Sequence, residues 1–431
     1  TYKILFNDAV AMTGGQPHDG PLSVPKIVAL VAAEGVERIV VVSDHPEQLS
    51  ARSDLRGVPV HHRDELLTVE RELQGYRGVS VLIYDQTCAA EKRRRRKKGS
   101  FADPARRLFV NDRVCEDCGD CSVQSNCVSV EPVATDFGRK RKINQSSCNK
   151  DYSCVNGFCP SFVWVEGGAV RRAPKTGPDP ATLAAALPVP VRAGLERTLN
   201  LLVTGIGGMG VTTVGAVLAV AAHLDGLNTL TLDMTGLAQK GGPVTSFVRF
   251  APGGTAIEGP RVPTAALDAL IASDMLVAAG AETLTVMSQA RTATVANARV
   301  APTAEFVLRQ VQSFEAARLS RTLAEASRDY AEFNAAGLAE KLFGDAIYAN
   351  MMLVGAALQK GLLPVSLAAV ENAIRLNGAS VGQNLQALHA GRLIAVDPAA
   401  VLALVESDAV LPERSLDERI AFLADELTRY Q

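Results

Sequence analysis

Cysteine is almost missing from most of this chain. Of eight cysteines in 431 residues, seven fall between positions 115 and 159, and Cys88 alone lies elsewhere. A disulfide framework needs thiols spread over the elements it ties together, so that reading fails. Net charge is nearly absent too, with 44 Lys and Arg against 46 Asp and Glu. A balance of −2 gives no global attraction to nucleic acid or anionic lipid. Aromatic residues make up 5% of the chain, and none interleaves the basic stretch 89–100, where a nucleic-acid strand would need rings to stack on. Nor is there an apolar run fit to cross a membrane. The one long uncharged stretch, 200–224, is broken by glycines at 205, 207, 208 and 210 and by three threonines. The expectation is a soluble, cytoplasmic chain with no nucleic-acid and no membrane partner.

What is present is concentrated. Cys115-x2-Cys118-x2-Cys121, followed later by Cys159-Pro160, is the spacing with which bacterial ferredoxins supply thiolates to a [4Fe–4S] cube. Three thiolates on one tight loop cap three corners, and a distant cysteine before proline caps the fourth. One cluster is therefore expected on Cys115, Cys118, Cys121 and Cys159, with Cys127 as the alternative fourth ligand. Cys148 and Cys154 are read as buried thiols. A tetrahedral zinc site is the rival, which the third cysteine at x2 spacing disfavours. Basic residues crowd this region, with seven in a row at 92–98 and four more at 139–142. Placed beside an electron-transfer centre, such a surface would steer an acidic carrier protein.

Along the chain, β-branched runs at 4–6, 38–43 and 79–84 alternate with helical stretches at 24–33 and 65–73, the pattern of a parallel sheet. Loop and turn chemistry dominates 87–167, and prolines punctuate 168–191. A second α/β unit begins at Leu199: a strand over 199–204, a glycine loop, a helix over 211–224 and a strand over 229–233. Further strands are expected at 244–250, 275–279 and 293–300. Helices are expected near 316–326, 347–360, 367–376 and 381–390. No repeat of fixed period is visible.

Gly205-Ile206-Gly207-Gly208-Met209-Gly210 between a strand and a helix can bring backbone N–H groups to phosphate at the positive helix end. Asp233 ends the next strand about where a dinucleotide fold places its ribose acid. A flavin- or NAD-dependent iron–sulfur oxidoreductase is thus one reading of the loop, and tight helix packing without a ligand is another. Residues 234–242 add a second glycine-rich loop carrying Lys240, which would share an anion-binding crevice with the first.

Four segments together closely resemble the fused bacterial indolepyruvate ferredoxin oxidoreductases. They are Thr87-Cys88-Ala89-Ala90-Glu91 with its basic run, Val114-Cys115-Glu116-Asp117-Cys118-Gly119-Asp120-Cys121, Ser146-Ser147-Cys148-Asn149-Lys150-Asp151, and Gly157-Phe158-Cys159-Pro160-Ser161-Phe162. The loop at 204–208 and residues 235–242 and 350–361 resemble the same family's gamma-type domain. The resemblance implies an α/β chain in five parts. Residues 1–87 would be the C-terminal part of a thiamine-diphosphate-binding parallel-sheet domain, and 88–167 a basic loop with the iron–sulfur insert. A Pro-rich linker would span 168–197, a Rossmann-like gamma-type domain ending in helices 198–395, and a further helical region 396–431.

The activity implied is oxidative decarboxylation of a 2-oxoacid to acyl-coenzyme A and carbon dioxide, with electrons passing through the cluster to ferredoxin. Thiamine diphosphate and Mg2+ are the cofactors implied, and coenzyme A is the co-substrate. Asn7 resembles the family's magnesium ligand, with the Ala9 carbonyl as companion and Met12, Thr13 and Gly14 in the cofactor-binding stretch. Gly205, Gly207, Gly208, Gly210 and Lys240 are the candidates for coenzyme A. Partners implied are a ferredoxin-type acidic carrier, the 2-oxoacid, the rest of the same enzyme and further copies in a homo-oligomer. Aryl pyruvates are the implied substrates, while branched-chain and phenyl-substituted 2-oxoacids stay open, as does a non-catalytic electron-transfer subunit. The family's Gly-Asp-Gly motif and activating glutamate are expected upstream of Thr1, and a helical domain after Gln431. No catalytic residue is assigned here, and the chain is expected to be inactive alone.

Overall fold

The computed structural model describes residues 1–7, 20–135, 137–167, 179–235, 242–300, 316–406 and 415–430. The chain divides into two compact units, the first centred on residues 1–168 and the second formed by most of residues 169–431.

The first unit opens with a parallel sheet of β1 (Tyr2–Phe6), β2 (Arg38–Ser43), β3 (Val60–His62) and β4 (Ser80–Asp85), in the order β1-β4-β2-β3. A strand buried on both faces reads as a continuous apolar run, as Ile39-Val40-Val41-Val42 does. Alternate side chains serve opposite faces. Ile39 and Val41 pack with Val24, Ile27 and Val28 of the helix Val24–Ala33, while Val40 and Val42 pack with Val69 and Leu73 of the helix Leu66–Gly75.

Beyond β4 the organisation changes. The basic run is helical over Ala89–Lys97, not a loop. Two antiparallel ribbons come next, β5 (Arg106–Val110) with β8 (Phe162–Glu166), and the hairpin of β6 (Val130–Thr135) with β7 (Gly138–Ile143). None of these strands is legible as an apolar alternation, because the described residues of this region contribute to none of the four apolar cores.

The second unit is a six-stranded sheet built from β9 (Leu199–Ile206), β10 (Asn228–Thr235), β11 (Pro243–Ala251), β12 (Ala269–Ala272), β13 (Ala293–Asn297) and β14 (Asp329–Phe333). Its order is β10-β11-β9-β12-β13-β14, with β9, β12, β13 and β14 parallel and β11 antiparallel to β9. On one face Leu201 and Val203 meet the helices Val211–Leu224 and Ala349–Gln359. On the other, Leu202 meets Met275 and Leu319. The strand expected at 275–279 is instead a short helix, Met275–Ala278, because the Asp274 carboxylate accepts the Val277 N–H at 3.1 Å and caps it. The strand of this segment lies earlier, at β12. Helices Ala349–Gln359 and Val381–Val396 cross so closely that a Cβ on Gly355 would run into the Leu388 carbonyl, and one on Gly391 into that of Met352. Part of the expected linker forms a helical turn, Pro180–Ala184. Among the described residues no helix is long and apolar enough to cross a membrane.

Candidate functional site

The cysteine loops are the most developed site in the first unit. Cys115 and Cys121 are buried and Cys118 is exposed. The loop from Cys115 to Cys121 is shaped by two left-handed residues, Asp117 (φ 55) and Gly119 (φ 80). This turn aims the Asp117 N–H at Cys115 Sγ, 3.4 Å away. From the facing strand β7 the Arg141 N–H reaches the same sulfur at 3.4 Å. At the other end of the region, Cys159 Sγ lies 2.9 Å from Ser161 Oγ. Such donors stabilise charge on sulfur and are among the means by which a protein tunes a cluster.

Electrostatic neighbours sort the thiols into two sets. Burial pushes the Cys121 thiol up to about 11, opposed by the nearby Arg141 charge and reinforced by Cys159 and Cys115. Burial also pushes the Cys154 thiol up to about 12, reinforced by Cys127, Cys148 and Asp151, and with a smaller influence from Cys121. The Cys148 thiol is raised by burial and by Cys127. Cys159 thus neighbours the first loop, and Cys127 neighbours Cys148 and Cys154. Buried thiols of this kind surrender protons only to a partner that supplies positive charge, as iron does. Among the described residues no three His, Cys, Asp or Glu side chains meet where one metal ion could sit. A single tetrahedral zinc needs its thiolates about 2.3 Å from one centre. A cube, which spreads its ligands over four irons, makes no such demand.

The basic residues hold these loops instead of standing in solvent. Arg139 Nε donates to Asp117 at 2.5 Å, buried Arg141 donates to the other Asp117 oxygen, and Lys140 Nζ donates to the Cys115 carbonyl at 2.6 Å. In the helix Ala89–Lys97, Arg93 donates to the Ser147 carbonyl at 2.7 Å and Arg96 to that of Asn149 at 2.5 Å. Lys92 pairs with Asp44 at 3.2 Å, while Arg94 and Arg95 pair with Glu91 at 2.6 and 3.1 Å. Within 92–98 only Lys97 and Lys98 are exposed. The run expected to face a carrier protein therefore spends most of its charge on internal contacts.

In the second unit the glycine loop leaves β9 and enters the 14-residue helix Val211–Leu224. Gly210 is left-handed (φ 76), and a Cβ there would lie 2.5 Å from Asn350 Nδ2. Asn350 in turn donates to the Met209 carbonyl at 3.4 Å, tying the loop to the buried helix Ala349–Gln359. Gly208 is also left-handed (φ 99), with open space where a Cβ would be. At the carboxyl end of the neighbouring β12, the Ser273 N–H donates to the Thr204 carbonyl at 2.8 Å, and the buried hydroxyls of Thr204 and Ser273 have no hydrogen-bond partner. Carboxyl strand ends, a helix N-terminus and two orphaned hydroxyls suit a polar ligand with a phosphate group.

Sequence spacing suggests a dinucleotide fold, and topology corrects its key feature. Antiparallel β11 separates β10 from β9, so Asp233 is not on the strand beside the glycine loop, where a ribose acid belongs. Its carboxylate instead lies near Gly215 in the second turn of the helix. Two cavities in this unit, of about 240 and about 660 Å3, are lined by no residue of the glycine loop. Asn7 follows β1 and is half-buried. Ala9, Met12, Thr13, Gly14 and Lys240 lie outside the described residues.

Comparison with known proteins gives this geometry a context. Residues 200–394 match the family Pyruvate ferredoxin/flavodoxin oxidoreductase. Indolepyruvate oxidoreductase subunit IorB of Archaeoglobus fulgidus is 30% identical over 207 residues, a match covering 47% of this chain and 99% of that protein. The subunit of the same name from Pyrococcus horikoshii is 28% identical over 189 residues, covering 42% and 87%. Among solved structures, pyruvate oxidoreductase subunit PORC from Thermotoga maritima aligns at 20% identity and a TM-score of 0.32, covering 46% of this chain and 96% of its own. The 2-oxoglutarate:ferredoxin oxidoreductase from Magnetococcus marinus, solved with 2-oxoglutarate, coenzyme A and succinyl-CoA, aligns at 17% identity and a TM-score of 0.35, covering 46% and 31%. The cysteines at 115–159 lie outside the family match.

Proposed function

Because the chain belongs to the pyruvate ferredoxin/flavodoxin oxidoreductase family through residues 200–394, we propose that it is the electron-relaying and acyl-accepting part of a cytoplasmic 2-oxoacid ferredoxin oxidoreductase acting on aryl pyruvates of the indolepyruvate class. The observation that carries this reading is the donor set of the first cysteine loop: the Asp117 and Arg141 N–H groups both reach Cys115 Sγ at 3.4 Å beside the buried Arg141 side chain, with Cys121 and Cys159 as further thiolates. Cys118, on the same loop, completes a four-thiolate set for one [4Fe–4S] cluster. Thiamine diphosphate and the cluster, when bound, supply the chemistry that separates carbon dioxide from the 2-oxoacid and takes up its electrons singly.

The chain's own groups have three tasks. Asp117, held by Arg139 and Arg141, fixes the first loop so that backbone N–H groups face sulfur. Arg141 offsets the negative charge that arrives with each electron. The loop 205–210 presents helix N–H groups to a coenzyme A phosphate, while Thr204 and Ser273 offer hydroxyls at the strand ends. Asn7 would hold magnesium at the carboxyl end of β1. A ferredoxin-type acidic carrier and the rest of the enzyme are the partners.

Protein purified without oxygen should contain iron and acid-labile sulfide and give a reduced-cluster electron paramagnetic resonance signal with dithionite. In the complete enzyme Cys115→Ser should abolish ferredoxin reduction driven by indolepyruvate. Zinc without labile sulfide would overturn the proposal.

A further inference from the structure

The loop at Cys148 repeats the loop at Cys115, residue for residue, with a carboxylate in place of one thiol. Cys115-x2-Cys118-x2-Cys121 aligns with Cys148-x2-Asp151-x2-Cys154. In each, the second residue after the first cysteine is left-handed at the same angle, Asp117 at φ 55 and Lys150 at φ 55. In each, that residue's N–H points at the first sulfur from 3.4 Å. Two positions on, Gly119 (φ 80) and Tyr152 (φ 60) are left-handed again. A helical turn then starts one residue before the last cysteine, at Asp120 in one loop and Ser153 in the other. Left-handed backbone costs non-glycine residues on the order of 1 kcal/mol each, so its recurrence at Lys150 and Tyr152 marks a conformation held for a purpose.

Exposure repeats as well. Among the candidate ligands Cys118 and Asp151 are the exposed ones, and the flanking cysteines are buried or half-buried. The fourth members are exchanged crosswise. Cys159, which follows the second loop, neighbours the first loop, while Cys127, which follows the first, neighbours the second. Crosswise exchange is how two-cluster ferredoxins complete their ligand sets. Positive charge is supplied to both loops: Arg139, Lys140 and Arg141 serve the first, and Arg93 and Arg96 donate to the carbonyls on either side of Cys148. Asp151 is itself held in place, its Oδ1 accepting the Ser153 N–H at 3.2 Å and the Ser153 hydroxyl at 3.0 Å. The second carboxylate oxygen is the one that would reach a metal.

We infer that Cys127, Cys148, Cys154 and Asp151 bind a second iron–sulfur cluster, with the Asp151 carboxylate on its solvent-facing iron. A hard oxygen ligand binds that iron less tenaciously than thiolate does, so this corner exchanges metal. Treated with ferricyanide as a one-electron acceptor, the four-iron core at the 2+ level should release one Fe2+ and one electron, leaving a three-iron core at the 1+ level. The inference does not depend on the substrate.

The test counts metal on the full chain purified without oxygen. About eight irons and eight sulfides are expected, falling to about four in Cys148→Ser and, separately, in Cys115→Ser. Ferricyanide should convert about one cluster per chain to the three-iron form, read by its electron paramagnetic resonance signal. Asp151→Cys should keep about eight irons and abolish that conversion, which a merely structural aspartate would not do. About four irons in the wild type, all lost in Cys115→Ser and all kept in Cys148→Ser, would overturn the second site and leave the first standing. Conversion that persists unchanged in Asp151→Cys would overturn the assignment of the carboxylate.

Discussion

Arg141 is the residue on which the electrical properties of the first loop turn. Its side chain is among the most deeply buried in the chain, its Nε donates to Asp117, its N–H donates to Cys115 Sγ, and its charge opposes the upward push that burial gives the Cys121 thiol. Reduction adds a negative charge to a buried group, so a fixed cation nearby favours the reduced form. Arg141→Met keeps most of the side-chain length and leaves Asp117 paired with Arg139. The midpoint potential of the first cluster should then fall, on the order of 50 mV, in a titration followed by electron paramagnetic resonance. An unchanged potential would confine Arg141 to packing. Neither Arg141 nor Asp117 stands out in the sequence, where one is a member of a basic run and the other a spacer between ligands. Only the fold of β7 back onto the loop reveals that they are partners.

Among the elements, the crossing of Ala349–Gln359 over Val381–Val396 is the least tolerant of added volume. Gly391→Ala would drive a methyl into the Met352 carbonyl, which belongs to rigid helix backbone. We expect a loss of about 3 kcal/mol in chemical denaturation of the second unit. These two helices are legible as long segments rich in Ala and Leu, and the parallel sheet of the first unit as short β-branched runs, because both signals are local. What is not legible depends on distant pairing. Antiparallel β11 between β9 and β10 arises from strand partners far apart in sequence, and so it displaces Asp233 from the role its spacing suggests. The strand β12 escapes notice because its four residues carry too short a signal, while the apolar Met275–Ala278 turn beside it mimics a strand until Asp274 caps it. The first cysteine loop announces itself by spacing. The second stays hidden because the repeat is one of backbone, with Asp151 breaking the cysteine count.

Taken whole, the molecule folds its parts by two different means. The parallel sheet of the first unit and the sheet of the second with its packed helices are organised around apolar cores, whereas the described residues of 88–167 contribute to none of them. Ion pairs and short ribbons hold that region, and metal on the proposed cysteine sets would add to them, since a metal's binding energy is folding energy where a core is missing. Removing iron with a chelator under reducing conditions should therefore raise amide hydrogen exchange throughout 88–167 and leave 198–395 protected. Equal loss in both would place the metal's influence beyond its own region. One stack in this region bears on how such changes can be seen. Tyr152 of the second loop lies 5.0 Å from Trp164, the chain's only tryptophan, and Arg106 sits over that indole at 4.5 Å. Iron–sulfur centres absorb at the wavelengths where indole emits, so an excited Trp164 beside a filled loop would pass on its energy without light. Trp164 emission should therefore be low if the second loop holds metal and rise when that metal is removed, a built-in lamp for its loss.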